Sequence, residues 1–412
     1  MPDPYEDIVL RLRSLEADVE AATPPVDPAD IIARARGRKA SPWPGARTGP
    51  GTFRTALIAA VLVLAVVLPW SLVHSFADRA PIKPAGRGGA ATVTLVRVMS
   101  GSRYKFKGAG DFAADGGDMF LVNSALNSVT EFSASSGDLV RVISGSRYKF
   151  NGSSAIAADG GDLFVANVGG ESVTEFSAST GDLVRVISGS EYRFNEPGSI
   201  AADGGDLFVG NCGRGRDSVT ELSASTGDLV KVISASRYGF KDPGAIVVDG
   251  GVLVVANFFP GSATEFSAST GALVRVISGS RFKFRDSEAI TVDGADLFVV
   301  NFGLTNYDGS VTEVDAATGA LVRVISGSSY EFRCPDGIAA DGGDVFVANS
   351  FPGSVTEFSA STGALVRVIS GSRYWFSSPR AMATQGHDLF VSEAGGGAFF
   401  SVTELAVRPG NG

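Results

Sequence analysis

From Thr92 to Val407 apolar and polar positions recur in a fixed order rather than at helical spacing. A clear copy begins with Gly161-Asp-Leu-Phe-Val-Ala-Asn167. Ser172-Val-Thr-Glu-Phe-Ser177 follows, with alternating side chains, and then Leu183-Val-Arg-Val-Ile-Ser188. A segment such as Phe194-Asn-Glu-Pro-Gly-Ser-Ile-Ala-Ala-Asp203 leads into the next copy. Period-two alternation in short runs, broken by Gly-Gly and Ala-Ser-Thr-Gly, predicts four strands per unit joined by hairpins. The first strand is of the Ala155–Asp159 type, the second Asp162–Asn167, the third Ser172–Ser177 and the fourth Leu183–Ile187. A strand-rich unit of about 45 residues cannot bury its own apolar faces, so it stacks on its neighbours, and seven such units close into a ring. The expected fold is therefore all-β, a seven-bladed β-propeller of four-stranded blades over residues 92–408.

The strand count specifies how the ring closes. The repeats begin with a fourth-type strand, Val93–Val98, and end with a third-type strand, Ser401–Val407. The N-terminal strand is expected to supply the missing outer edge of the last blade and to remove an exposed edge. A charge pattern agrees. Glu175 and Arg185 lie opposite each other around their turn, and the spacing recurs from Glu131–Arg141 to Glu357–Arg367. Only Glu404 and Arg97 lack a local partner, which predicts that they pair across the seam. As exposed pairs, these contacts are expected to set register and to contribute about 0.2–1 kcal/mol each.

Ahead of the repeats the pattern changes. Residues 55–77 carry no charge and are long enough to cross a hydrocarbon core, which predicts a transmembrane helix with Pro69 late in it and Trp70 at the interface. Arg34, Arg36, Arg38, Lys39, Arg47 and Arg54 precede it, against Arg79, Lys83 and Arg87 beyond. That excess predicts a single-pass cell-membrane protein with its N-terminus cytoplasmic and its propeller outside. Residues 1–54 form the expected tail. Within it Ile8, Leu12, Leu15 and Val19 predict an amphipathic helix over 5–21, a docking element for a cytoplasmic partner, and a second short helix is expected over 28–36. Residues 78–91 read as a Pro/Gly linker and 409–412 as a short C-terminal tail.

Composition narrows the function. The formal net charge is −9 and the repeats hold no basic run, so no nucleic-acid partner is expected. Cys212 and Cys334 are too few for a disulfide framework or a metal knuckle and read as free thiols. Length variation is confined to the loop between second and third strands, which lengthens at Asn211–Ser218, Asn301–Ser310 and Glu393–Ser401. A loop that alone accepts insertions is where function is sought. It shares one rim with the blade-to-blade connections. These loops carry Arg214 and Arg216, then Phe258 and Phe259, Phe302 and Tyr307, Phe351, and Phe399 and Phe400. Aromatic rings in glycine-rich loops predict a binding arc for a protein, peptide or glycan ligand. The other reading is that each ring tucks onto its own blade.

Six second strands end in asparagine, from Asn123 to Asn349, and the seventh ends in Glu393. Either each Asn bonds the local backbone or the ring offers oxygen ligands to a hard cation. Glu393 and His387 on the same hairpin break the symmetry and are the alternative metal site. The repeated Ser and Thr read as turn formers, and the repeated Tyr and Phe of the connections as packing between blades. No cofactor is expected, and a non-enzymatic role leads.

The segment Phe194–Asp203, the strand beginning Asp206-Leu-Phe-Val209 and the hairpin Ser354–Ser372 resemble the NHL repeat, over about residues 93–407. That resemblance implies a ring-shaped interaction domain, as in the extracellular sensors of some bacterial receptor kinases. The blades are also similar to those of streptogramin lyases, whose chemistry needs a histidine pair with a metal-holding acid, and this stretch holds one histidine, His387. Six-bladed lactonases of the regucalcin type use Glu, Asn and Asp on a metal, a set that Glu393 and the Asn ring resemble. These likenesses imply the alternative, a metal-dependent lyase or lactonase at the channel mouth.

Overall fold

The structure is a computed structural model that describes residues 92–408, apart from 214, 216, 235, 260, 304–308 and 395–399. The described strands form seven four-stranded antiparallel sheets, each in chain order from first to fourth strand except the last. Blade 1 runs from Ala109–Asp115 through Asp118–Asn123 and Ser128–Ser133 to Leu139–Ser144. Blades 2 to 6 repeat this, with first strands at Ser153–Asp159, Pro197–Asp203, Pro243–Asp249, Ser287–Asp293 and Pro335–Asp341. Blade 7 takes Pro379–Gln385, Asp388–Glu393 and Ser401–Arg408 from the end of the chain and Thr92–Ser100 from the start of the repeats. Each first strand touches the first strands of both neighbouring blades, and blade 7 meets blade 1, so the ring is closed and the first strands are innermost.

Local chemistry explains the hairpins. Gly160 and Gly161 both take positive φ, 60° and 86°, which the tight turn between first and second strands requires and other residues resist. The core lies between blades. Leu163, Val165 and Phe176 of blade 2 pack on Phe120, Val122 and Ile143 of blade 1. Each connection adds a stacked pair, such as Tyr148 on Phe150 with centroids 5.3 Å apart, and both rings meet Phe176 edge-on. The Tyr148 hydroxyl donates to the Gly181 carbonyl in the turn of the blade that follows. The packing role expected of these aromatics is therefore the observed one.

The seam forms as expected. Arg97 Nε lies 3.0 Å from Glu404 Oε2, and Arg97 also donates to the Ser135 carbonyl of blade 1. The same double contact recurs around the ring. The cation on each fourth strand sits 2.8 to 3.2 Å from the glutamate of its own blade. Those of blades 1 to 5 also reach a carbonyl in the next blade's turn. These pairs require one correction. They are half-buried rather than exposed: the glutamates are at most 1% accessible, because the fourth strand and the next blade's turn cover them, whereas the cations keep 27–30% of their side-chain surface. Burial pushes Glu131, Glu175, Glu313, Glu357 and Glu404 up to about 7, although each neighbouring arginine pulls its glutamate back down.

The expected fold class needs a second correction. It placed a transmembrane helix ahead of the ring. Among the described residues no helix is long and apolar enough to cross a membrane. Those present are three-residue 3₁₀ turns such as Ser146–Tyr148, too short to bury anything but one ring in an interblade groove. The residues on which that expectation rested, 55–77, lie outside the described residues. So do the tail helices expected at 5–21 and 28–36, the linker 78–91 and residues 409–412.

Candidate functional site

The loop between second and third strands and the connection entering the first strand meet on one face in every blade. Val168 N–H donates to the Gly152 carbonyl in blade 2, Phe258 to Asp242 in blade 4, and Phe302 to Asp286 in blade 5. The geometry repeated from blade to blade comes from the asparagines. Each is buried, and its Nδ2 donates to a third-strand threonine Oγ1, as from Asn167 to Thr174 at 2.9 Å. That threonine donates in turn to the Tyr148 carbonyl of the connection. In four blades the asparagine Oδ1 also accepts an N–H from the connection, as from Lys241 to Asn257. The amides are thus engaged in local bonds, and among the described residues no three His, Cys, Asp or Glu side chains gather as a metal site would need.

Glu393 occupies the asparagine position of blade 7 and is fully buried. Its Oε2 accepts from the Ser377 and Ser378 backbone N–H groups at 2.8 and 2.9 Å, while Oε1 has no hydrogen-bond partner. Burial pushes this carboxyl up to about 8, with the two amides acting against it. His387 is not beside it. It lies at the other end of the second strand, in the hairpin turn, where it is largely exposed and 3.7 Å from Asp341 of blade 6. The structure does not bring the two together.

A consequence in pH follows. Glu393 binds its proton more tightly folded than unfolded, where the ordinary value is 4.5. Its contribution to stability is full below that value and is lost as pH rises through about 8. The unfolding temperature should fall from pH 5 to 8, and Glu393→Gln should flatten that fall. Thermal melts at stepped pH check this. A rise with pH, or an unchanged slope in the variant, would refute it.

Of the expected aromatic arc, Phe259 and Phe351 stand out, 69% and 42% exposed. Phe258 and Phe302 are half-buried, and Phe400 packs against the core between blades 7 and 1. Arg214, Arg216, Tyr307 and Phe399 lie outside the described residues. Between the two exposed rings, on the same face, a cavity of about 570 Å³ opens over blade 5. Arg281, Lys283 and Arg285 of the connection entering blade 5 line it, with Glu331 and Arg333 of the connection leaving it. Phe351 N–H donates to the Arg333 carbonyl. Gly261, two residues beyond Phe259, lies so close to the Phe284 carbonyl that a Cβ there would collide with it. Both aromatic loops are therefore seated on the walls of this cavity.

The innermost strands carry a further asymmetry. At the second position of the innermost strands, blades 1 to 4 have Gly110, Ser154, Gly198 and Gly244, whereas blades 5 to 7 have Glu288, Asp336 and Arg380. Asp336 Oδ2 lies 3.7 Å from Arg380 Nε, and burial raises the Asp336 carboxyl, with Arg380 opposing. Aligning the first strands position by position would have exposed this. Cys334 is a free thiol, as expected, and the Cys212 thiol donates to the Glu196 carbonyl. Burial pushes the Cys334 thiol up to about 11, which keeps it unreactive.

No protein-family model and no curated protein sequence matches the chain. Solved structures do match in shape. A streptogramin B lyase structure aligns with a TM-score of 0.62 at 12% identity, over 77% of this chain and 98% of that one. The Cps50 (Swd1) β-propeller domain of Myceliophteria thermophila gives 0.60 at 12% identity, over 77% and 100%. Kuenenia stuttgartiensis hydrazine synthase gives 0.57 at 17% identity, over 72% and 95%. At these identities the likeness is one of fold, a β-propeller shared by proteins of different kinds.

Proposed function

We propose that the propeller is a non-enzymatic binding domain whose loop face recognises a protein or peptide, and that its blades are kin to NHL repeats. One observation carries the first part: two exposed phenylalanines, Phe259 and Phe351, flank a cavity on the face where the chain tolerates insertions. Exposed aromatics beside a concave wall are the composition of an interaction hot spot. The NHL-like run Phe194–Asp203 supports the second part. The separation of Glu393 from His387, and the bonding of the asparagines, leave the metal-dependent alternative without a supporting arrangement.

The test is a peptide selected from a random library on the full chain. Phe259→Ala with Phe351→Ala should weaken it by roughly tenfold or more, as expected for loss of hot-spot rings. Unchanged affinity in titration calorimetry would remove the loop face from the reading.

A further inference from the structure

We propose that the cavity over blade 5 is an anion-binding subsite that receives the carboxylates of an acidic peptide segment. This rests on the loop-face reading above and names the chemistry of its ligand.

Among the described residues, Arg281, Lys283, Arg285 and Arg333 line the cavity with Glu331; Arg285 lies 3.8 Å from buried Asp286, so Arg281, Lys283 and Arg333 carry the positive charge offered to a ligand. The cations come from two consecutive connections and converge because blade 5 stands between those connections. Their backbones are held. Asn301 Oδ1 accepts the Arg285 N–H at 3.2 Å, and the Arg333 carbonyl accepts from Phe351. The Arg281 guanidinium lies over the Phe282 ring, 4.7 Å from its centroid. Buried Phe332 contributes an apolar wall. Positive charge at a concave, partly apolar surface favours carboxylate or phosphate oxygens over water.

The rest of the molecule directs an acidic ligand to this face. The hairpins between first and second strands carry paired aspartates, such as Asp115 with Asp118 and Asp341 with Asp344, at the opposite end of the ring. They couple across blades, Asp115 helping to raise Asp162 and Asp293 helping to raise Asp344, although burial is the larger cause in both. An acidic chain is repelled from that end and attracted to this one. A peptide fits better than a nucleic acid for two reasons. A cavity of about 570 Å³ holds a few side chains rather than a phosphate track, and the flanking Phe259 and Phe351 match apolar neighbours of the acidic residues.

The experiment uses the full chain and the peptides selected from the random library. The expected result is enrichment in Asp and Glu beside apolar residues. Affinity should fall with salt and should drop when asparagine and glutamine replace the acids. Lys283→Gln with Arg333→Gln should weaken binding by roughly tenfold, two solvent-facing charge contacts being lost, whereas Lys149→Gln on another connection should not. All three side chains are exposed, so the melting curve should stay in place.

Selected peptides that lose affinity in the phenylalanine variants but show no acidic bias would overturn this inference and leave the loop-face reading standing. Peptides insensitive to the phenylalanine variants, or a library that yields none, would overturn both. Displacement of the peptide by an equal concentration of inorganic phosphate would overturn the peptide in favour of a free anion. Tighter binding of a single-stranded DNA oligonucleotide would overturn it in favour of nucleic acid.

Discussion

Arg97→Ala should cost the fold up to about 3 kcal/mol, the low end of what removing one partner of a buried ion pair costs, since the carboxylate is buried and the guanidinium partly accessible. The reason lies in what stays behind. Glu404 is about 1% exposed, and Arg97 is its cation. Without Arg97 the carboxylate must be buried alone or take up a proton. The variant also loses the hydrogen bond from Arg97 to the Ser135 carbonyl, which ties blade 7 to blade 1. The penalty should shrink in acid, because Glu404 already holds its proton below about 7 and a neutral carboxyl needs its partner less. Urea unfolding at pH 8 and pH 5 measures both effects. Equal stability of variant and wild type at pH 8 would contradict the argument.

Gly337→Ala should be the most damaging small substitution in the inner ring. Gly337 holds the third position of blade 6's first strand, where the other blades place Asp111, Ala155, Ser199, Ala245, Ala289 and Ala381. Here the neighbouring strand comes so close that a Cβ would overlap the Arg380 carbonyl. The obstacle is backbone in the middle of a closed ring, so relief requires blades 6 and 7 to part. Overpacking of this kind costs about 1–3 kcal/mol and occasionally more. Denaturant melts check it, and a loss within 0.5 kcal/mol, the scatter of ordinary surface changes, would mean that the interface yields.

The ring and its closure were legible because each repeat states its own strands and the unpaired Val93–Val98 and Ser401–Val407 complete one blade. Pairing of Arg97 with Glu404 followed from the same count. Burial of the glutamates was not legible. It depends on the turn of the following blade, as where Arg185 reaches Ser225, and no single repeat contains both covers. Glu393 and His387 share a hairpin in sequence, yet a strand's length separates them, since the hairpin turn holds one and the loop face the other. The cavity over blade 5 was missed for a related reason. Its cations sit on two connections that a whole blade separates in sequence, and each alone resembles the basic residues of other connections, such as Arg103, Lys105 and Lys107. The exposed rings were half legible. Glycine-rich loops marked Phe259 and Phe351, but nothing in the sequence distinguished them from Phe400, which packs inward.

The two ends of the repeat array meet in one blade, and the closed ring depends on that meeting. A double-mutant cycle on Arg97→Ala and Glu404→Ala tests it directly. Residues in contact across the seam should show a coupling energy of about 0.5–3 kcal/mol, whereas costs that simply add would mean that the strands do not pair and the ring is open.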